Sequence, residues 1–239
     1  MSDRSVLVVV AHPDDCELTC AGSIARWVGE GDRAVLLVAT NGGRGGKDPG
    51  SEEQVVAHTR KQEQEEAARV IGFSGVEWLG FYDGELRNDS ALRGAIVKQV
   101  RSIRPDIVLC MDPLTVIYRN SYVNHSDHRA LGMATLDALY PQASNAGYFK
   151  EQIDDGLAPH KVPELLLAQS DQPNHWVDVS KTLDRRFEAL RRHRSQMRLW
   201  PEAGEAVIRQ QRELAGVLGT QYGARYVEEF RRIVVNPLS

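Results

Sequence analysis

Apolar residues run without a break from Val6 to Ala11, the pattern of a strand buried on both faces. This predicts a first strand over 5–10. Apolar positions then recur at helical spacing over 17–30 and stop at Gly31, predicting a helix closed by glycine. A second strand follows over 34–40. Residues 41–50, with five glycines and a proline, predict a mobile loop. A long polar helix is predicted over 51–71, opened by Ser51 as N-cap and closed at Gly72.

The rest of the chain keeps alternating. A short strand is predicted over 76–79, a helix over 91–103 and a buried strand over 107–111. A loop covers 112–124 and a helix 127–140. Residues 141–162 read as irregular and exposed. Strands over 164–168 and 176–179 read as a hairpin-like section, and helices over 181–194 and 202–218 follow. The alternation predicts an α/β fold with a mostly parallel sheet covered by helices. No repeat, low-complexity tract or linker divides the chain, so one domain over 1–239 is expected.

Composition narrows the class. Of 239 residues, 42% are hydrophobic and 26% charged, as in an ordinary soluble globule. A formal net charge of −4 argues against a nucleic-acid surface, which is usually basic. No stretch approaches the roughly 20 apolar residues that span a bilayer, so no membrane partner is expected. The start, Met1-Ser2-Asp3-Arg4, offers no signal peptide. The three cysteines, Cys16, Cys20 and Cys110, are too few and too irregular for a disulfide framework. They read as small buried hydrophobes in a reducing compartment, and a cytoplasmic location is expected.

Two clusters carry the chemistry. His12-Pro13-Asp14-Asp15 directly follows the first strand, and His125-Ser126-Asp127-His128 stands at a predicted helix start. In open α/β sheets, ligands bind beyond the carboxyl ends of strands. Both clusters, the glycines at 42–46 and Tyr82-Asp83-Gly84 all follow strands, so they are expected to converge. A catalytic zinc takes three protein ligands and keeps a position for water. His12, Asp15 and His128 supply such a set, and a metal held there lowers the pKa of its bound water. Asp14 is left as a general base. His125, as an imidazolium, is left to stabilise an oxyanion or protonate a leaving amine. Asp127 is placed to hold an imidazole in the right tautomer.

These motifs carry a family resemblance. Ala11-His-Pro-Asp-Asp-Cys-Glu17, followed by a small-residue helix start, and His125-Ser-Asp-His128 resemble the two metal motifs of the PIG-L/LmbE-like zinc deacetylases. Weaker similarities are Thr40-Asn-Gly-Gly43, Arg60-x-x-Glu63, Asp83-Gly84, Val177-Asp-Val-Ser180 and His193-Arg-Ser-Gln196. Such enzymes remove acetyl groups from N-acetylglucosamine-type amines. The resemblance implies a Rossmann-like fold without a bound dinucleotide and a small N-acetylated amino-sugar substrate. It also implies one zinc per chain and a homo-oligomer, hexamer or trimer. It places His12, Asp15 and His128 as ligands, Asp14 as base and His125 facing the oxyanion. Arg60 and Asp83 match positions that line the sugar pocket, although Arg60 can instead pair with Glu63 along a helix and Asp83-Gly84 can be only a turn. Two departures are visible. Ser126 replaces the usual proline, and Val123 stands where some relatives carry a mobile tyrosine, leaving Tyr122 or Tyr118 to substitute.

Other readings remain open. A nucleotide-binding module is disfavoured because His-Pro-Asp-Asp occupies the place of a glycine-rich phosphate turn; the glycines after the second strand read as a flexible rim, with Arg44 at its tip able to contact a ligand. A metal-dependent phosphoesterase usually needs two metals. Iron or cobalt can occupy the same ligands as zinc.

Overall fold

A computed structural model describes residues 3–46, 50–199 and 201–235. The first half of the chain forms strand β1 (Ser5–Val10), helices α1 (Asp15–Thr19) and α2 (Ala21–Glu30), strand β2 (Arg33–Thr40), helix α3 (Glu53–Ile71), strand β3 (Gly75–Phe81), helix α4 (Ser90–Ile103) and strand β4 (Ile107–Met111). Then come a small hairpin, β5 (Ile117–Tyr118) with β6 (Tyr122–Val123), and helix α5 (Ser126–Asp137). The rest is helix α6 (Lys150–Asp154), strands β7 (Glu164–Ala168) and β8 (His175–Asp178), helices α7 (Leu183–Leu190), α8 (Arg194–Leu199) and α9 (Pro201–Tyr222), and strand β9 (Val227–Val234).

The seven-stranded sheet has the order β3-β2-β1-β4-β7-β9-β8. Pairs along β3 to β7 are parallel, and β9 runs antiparallel to both neighbours. Alternation along β1 divides the core. Val6, Val8 and Val10 pack with α2, α3 and α7 on one face, whereas Leu7, Val9 and Ala11 pack with α4 and α5 on the other. This double burial is why β1 reads as an unbroken apolar run. The chain leaves β1 towards β2 on one side and returns to β4 on the other. The carboxyl ends of β1 and β4 therefore flank the crevice where such sheets hold their ligands.

Several boundaries differ from expectation. The helix predicted over 17–30 is broken at Cys20, whose φ of −139° leaves the helical region between α1 and α2. Ser51 is not an N-cap; α3 begins at Glu53 after an extended Glu52. The predicted loop over 112–124 contains the β5/β6 hairpin. The helix predicted over 181–194 is shorter, α7 covering Leu183–Leu190, and α8 starts only at Arg194. Residues 141–162 are not simply irregular and exposed. Arg101, almost wholly buried, donates to the carbonyls of Gln142, Ala143, Asn145, Tyr148 and Phe149 and so ties that segment to α4.

The largest correction is at the far edge of the sheet. The strands at 164–168 and 176–179 do not form a hairpin, because β9 lies between them and pairs with both. Glu228, Glu229, Arg231 and Arg232 disguise β9 as a solvated segment. Glu228 is in fact buried and accepts from the start of α2, from Gly22 N at 3.1 Å, Ser23 N at 2.8 Å and Ser23 Oγ at 2.6 Å. Arg186 Nη1 donates to the same carboxylate at 2.9 Å, while its Nε and Nη2 reach the Glu17 and Leu18 carbonyls, both at 2.7 Å. One ion pair thus fastens the helices that follow β1. Glu228→Ala is expected to cost about 3–5 kcal/mol, because it leaves Arg186 as an uncompensated buried charge. Urea unfolding measures this, and a loss below about 1 kcal/mol would put the pair in the class of surface bridges.

Candidate metal centre and active site

β1 ends by turning His12 and Asp15 back over its own terminus. Asp15 Oδ2 accepts from Ala11 N at 3.1 Å and from His12 N at 2.8 Å, which fixes the carboxylate above the strand end. Between them Asp14 adopts φ 93° and ψ −19°, the left-handed region. For a residue other than glycine this conformation costs about 1–3 kcal/mol and persists only where the surroundings impose it. On the other side of the crevice, α5 starts at Ser126. His125 caps it, its Nδ1 accepting from Asp127 N at 3.2 Å. The first turn then points His128 at Asp15.

Donor atoms of three residues converge, Asp15 offering a different carboxylate oxygen to each histidine. His12 Nδ1 lies 3.2 Å from His128 Nε2 and 3.5 Å from Asp15 Oδ2, and His128 Nε2 lies 3.2 Å from Asp15 Oδ1. Ligands at about 2.0–2.1 Å from a tetrahedral zinc stand about 3.3 Å apart. Two imidazole nitrogens and a carboxylate at these spacings, all buried, are able to hold a divalent metal. His128 Nδ1 is 3.1 Å from Asn124 Oδ1, a contact that directs the Nδ1 proton to the amide and leaves Nε2 free as a donor. His12 Nε2 faces Asp127 Oδ2 at 3.1 Å and Asp83 Oδ1 at 3.2 Å. A second set, His12, His125 and Asp127, also comes within ligand reach.

The electrostatics are those of a cation site. Burial opposes charge on His12, but its bonds to Asp127, Asp15 and Asp83 outweigh it and push the imidazole up to about 12. Burial likewise opposes ionisation of Asp15, yet His128 and His12 hold its carboxyl well below the usual range. Asp83 and Asp127 are each lowered in the same way, against burial, chiefly by His12. A divalent ion satisfies this negative field as a proton does. Asp14 differs: burial holds it above the usual carboxylate value, with Arg60 acting against the rise. His125 is lowered by burial and by its neighbours His12 and His128. With Nδ1 accepting from Asp127 N, its neutral ring carries the proton on Nε2. The imidazolium expected from the sequence is disfavoured here.

Arg60 does not pair with Glu63. It is buried, with Nη1 donating to Gly42 O at 2.8 Å and Nη2 to Pro13 O at 2.6 Å and Asp14 Oδ2 at 3.2 Å. Glu63 instead accepts from Ser195 N and Oγ, both at 2.7 Å. The glycines after β2 follow from this. A Cβ on Gly42, at φ +63°, would stand 2.9 Å from Arg60 Nη1, and one on Gly45 2.3 Å from it. Residues 41–46 are thus a packed turn around the guanidinium, not a free rim; residues 47–49 lie outside the described residues. Arg44 sits at the exposed edge, its side chain against Glu53 and Glu85, while its backbone N donates to Asp83 Oδ2 at 3.1 Å.

Tyr122 lies on the opposite flank. Burial, then the charge of Asp15, raises its hydroxyl. It lines a cleft of about 630 Å³ that opens on Asp15 and His128 and is walled by Leu18, Met111, Tyr118, Leu214 and Val217. Asn124 and Gln64 were not singled out from sequence. Their signal was spacing: each stands four residues from a motif residue on or beside a helix, Asn124 before His128 and Gln64 after Arg60.

Fold and site together define an α/β protein with a metal-competent His/Asp/His cluster at the switch point of its sheet. The chain belongs to the PIG-L family, described as GlcNAc-PI de-N-acetylase, which matches residues 7–139. It is 30% identical over 230 residues to the diacetylchitobiose deacetylase of Thermococcus kodakarensis, covering 95% of this chain and 82% of that one. It is 26% identical to a probable N-acetyl-alpha-D-glucosaminyl L-malate deacetylase 2 of Bacillus cereus, covering 87% and 90%. The solved N,N'-diacetylchitobiose deacetylase of Pyrococcus horikoshii superposes with a TM-score of 0.86 at 27% identity, covering 99% of this chain and 88% of that one. Among the described residues no helix is long and apolar enough to cross a membrane.

Proposed function

We propose that this chain hydrolyses the N-acetyl amide of an N-acetylglucosamine-type amino sugar or conjugate, using one divalent metal held by His12, Asp15 and His128. The observation that carries this proposal is the set of 3.2–3.5 Å contacts among His12, Asp15 and His128, beside Asp14 and His125, in a chain of this family. The donor set favours zinc. A divalent ion there supplies a Lewis acid and lowers the pKa of water. Asp14 takes the proton of the attacking water and returns it to the departing amine. His125 Nε2–H donates to the carbonyl oxygen as charge develops on it. Asp127 and Asp83 hold the ring of His12, and Arg60 holds the Asp14 carboxylate. The cleft past Tyr122, about 630 Å³, lies in the size range of small-ligand sites and leaves space for a group beyond the acetylated sugar. Residues 1–239 make up one deacetylase domain.

The test is free-amine release from N-acetylglucosamine, N,N'-diacetylchitobiose and N-acetylglucosaminyl conjugates. Amine is expected with zinc-loaded enzyme, is lost after chelation and returns with zinc. Silence across the panel with about one metal bound per chain would remove the amino sugar as substrate. The second donor set, His12, His125 and Asp127, favours the alternative, a mono- or dinuclear metal-dependent hydrolase of another amide or phosphoester, and metal stoichiometry near two would move the assignment to its dinuclear form.

A further inference from the structure

Behind Asp14 runs a buried polar chain to which the chemistry above assigns no step. Gln64, Glu17 and His193 are each sealed from solvent. Gln64 Oε1 accepts the backbone N–H of Asp14 at 2.9 Å, and Gln64 Nε2 donates to Glu17 Oε1 at 3.0 Å. The other oxygen of Glu17 faces His193 Nε2 at 3.4 Å. These groups come from three separate elements: Glu17 from α1, Gln64 from α3, and His193 from the turn between α7 and α8. Enclosing a carboxylate, an amide and an imidazole together is costly, and an apolar filling of the same space is often more stable. The arrangement calls for a role other than stability.

The conformation of Asp14 supplies one. Its left-handed backbone, which aspartate and asparagine tolerate better than most residues, still costs free energy that the surroundings must offset. Arg60 grips the Pro13 carbonyl and the Asp14 carboxylate, and Asp14 O accepts from Leu18 N at 3.0 Å. The remaining polar group of Asp14, its N–H, points away from the crevice at Gln64. A side chain whose backbone is pinned at N–H, C=O and carboxylate has little freedom to swing.

We propose that Gln64 is a positioning residue, backed by Glu17 and His193, which holds Asp14 in its left-handed turn and so aims its carboxylate at the attacking water. This rests on the reading of Asp14 as the base. The experiment is a double-mutant cycle on metal-loaded enzyme with Gln64→Met, Asp14→Asn and the double variant, following kcat, KM and metal content. Gln64→Met is expected to lower kcat about 10–100-fold, as small misplacements of a catalytic group do. KM should stay within about threefold, and bound metal should not change, because binding groups are untouched. In the Asp14→Asn background the same change should cost less than about twofold, because no base remains to be aimed.

Equal fold-losses in both backgrounds would overturn the proposal, as would a loss carried by KM or by metal content. Either would mean that Gln64 serves the fold or the ligands in general. If Gln64→Met does not fold, Gln64→Asn, which keeps the amide and shortens its reach by one methylene, carries the same cycle with the same outcomes. Wild-type turnover in Asp14→Asn alone would overturn the base assignment and the proposal with it. An additive cycle on a crippled Asp14→Asn would overturn the positioning role only.

Discussion

Asp14→Asn is expected to keep its full complement of metal and to lose about 10²–10⁴-fold in kcat, the usual worth of a positioned general base. The substitution is close to isosteric. Asparagine is among the few residues that tolerate the left-handed backbone found at Asp14 (φ 93°), and its carbonyl can still accept from Arg60. The proposed ligands, His12, Asp15 and His128, are other side chains, so metal content should be unaffected. The substitution removes the negative charge that faces Arg60 and, with it, the ability to take a proton. Steady-state kinetics beside metal analysis checks both halves, and unchanged turnover would exclude Asp14 from the reaction. Loss of metal would instead make Asp14 part of the ligand set.

The second large effect concerns the ion. His128→Ala is expected to reduce bound zinc from about one per chain to near none after dialysis, since three protein ligands are the minimum of catalytic zinc sites. His128 Nε2 stands 3.2 Å from both His12 Nδ1 and Asp15 Oδ1, so its removal takes away one of the three proposed ligands. Asn124→Ala, which removes only the partner of His128 Nδ1, should weaken metal binding about 10–100-fold without abolishing it. His125→Ala separates the two donor sets. It should leave zinc content intact if the ion sits with Asp15 and His128, and empty the site if the ion sits with Asp127. A variant set in which His128→Ala keeps the metal and His125→Ala loses it would move the centre.

Much of the fold was legible because its signals are local. The unbroken apolar runs of β1, β2 and β4, and the glycines closing α2 and α3, follow from burial on both faces and from left-handed C-caps at Gly31 and Gly72. What escaped has a common physical cause. β9 carries four charged residues in eight, and only the meeting of Glu228 with Arg186 and the start of α2 makes one of those positions a core position. The hairpin expected between β7 and β8 failed for the same reason, since strand order depends on which strand fills the space and not on which comes next.

The site divides in the same way. The chain by itself determined which residue types meet at the site: histidines and aspartates in two motifs, one after a buried strand and one at a helix start, among them Asp14 and His125. Side-chain chemistry and its place relative to β1 and α5 are properties of short segments, and the sheet brings strand ends to one edge. Only the tertiary structure decided how those groups are held. It turned Arg60 from Glu63 to Asp14, wrapped Gly42 and Gly45 around the guanidinium, set Asp127 against His12 and put Gln64 behind the Asp14 amide. Each of these contacts joins residues far apart in the chain, and each depends on distances of a few tenths of an ångström that the packing of helices on the sheet sets and no local pattern encodes.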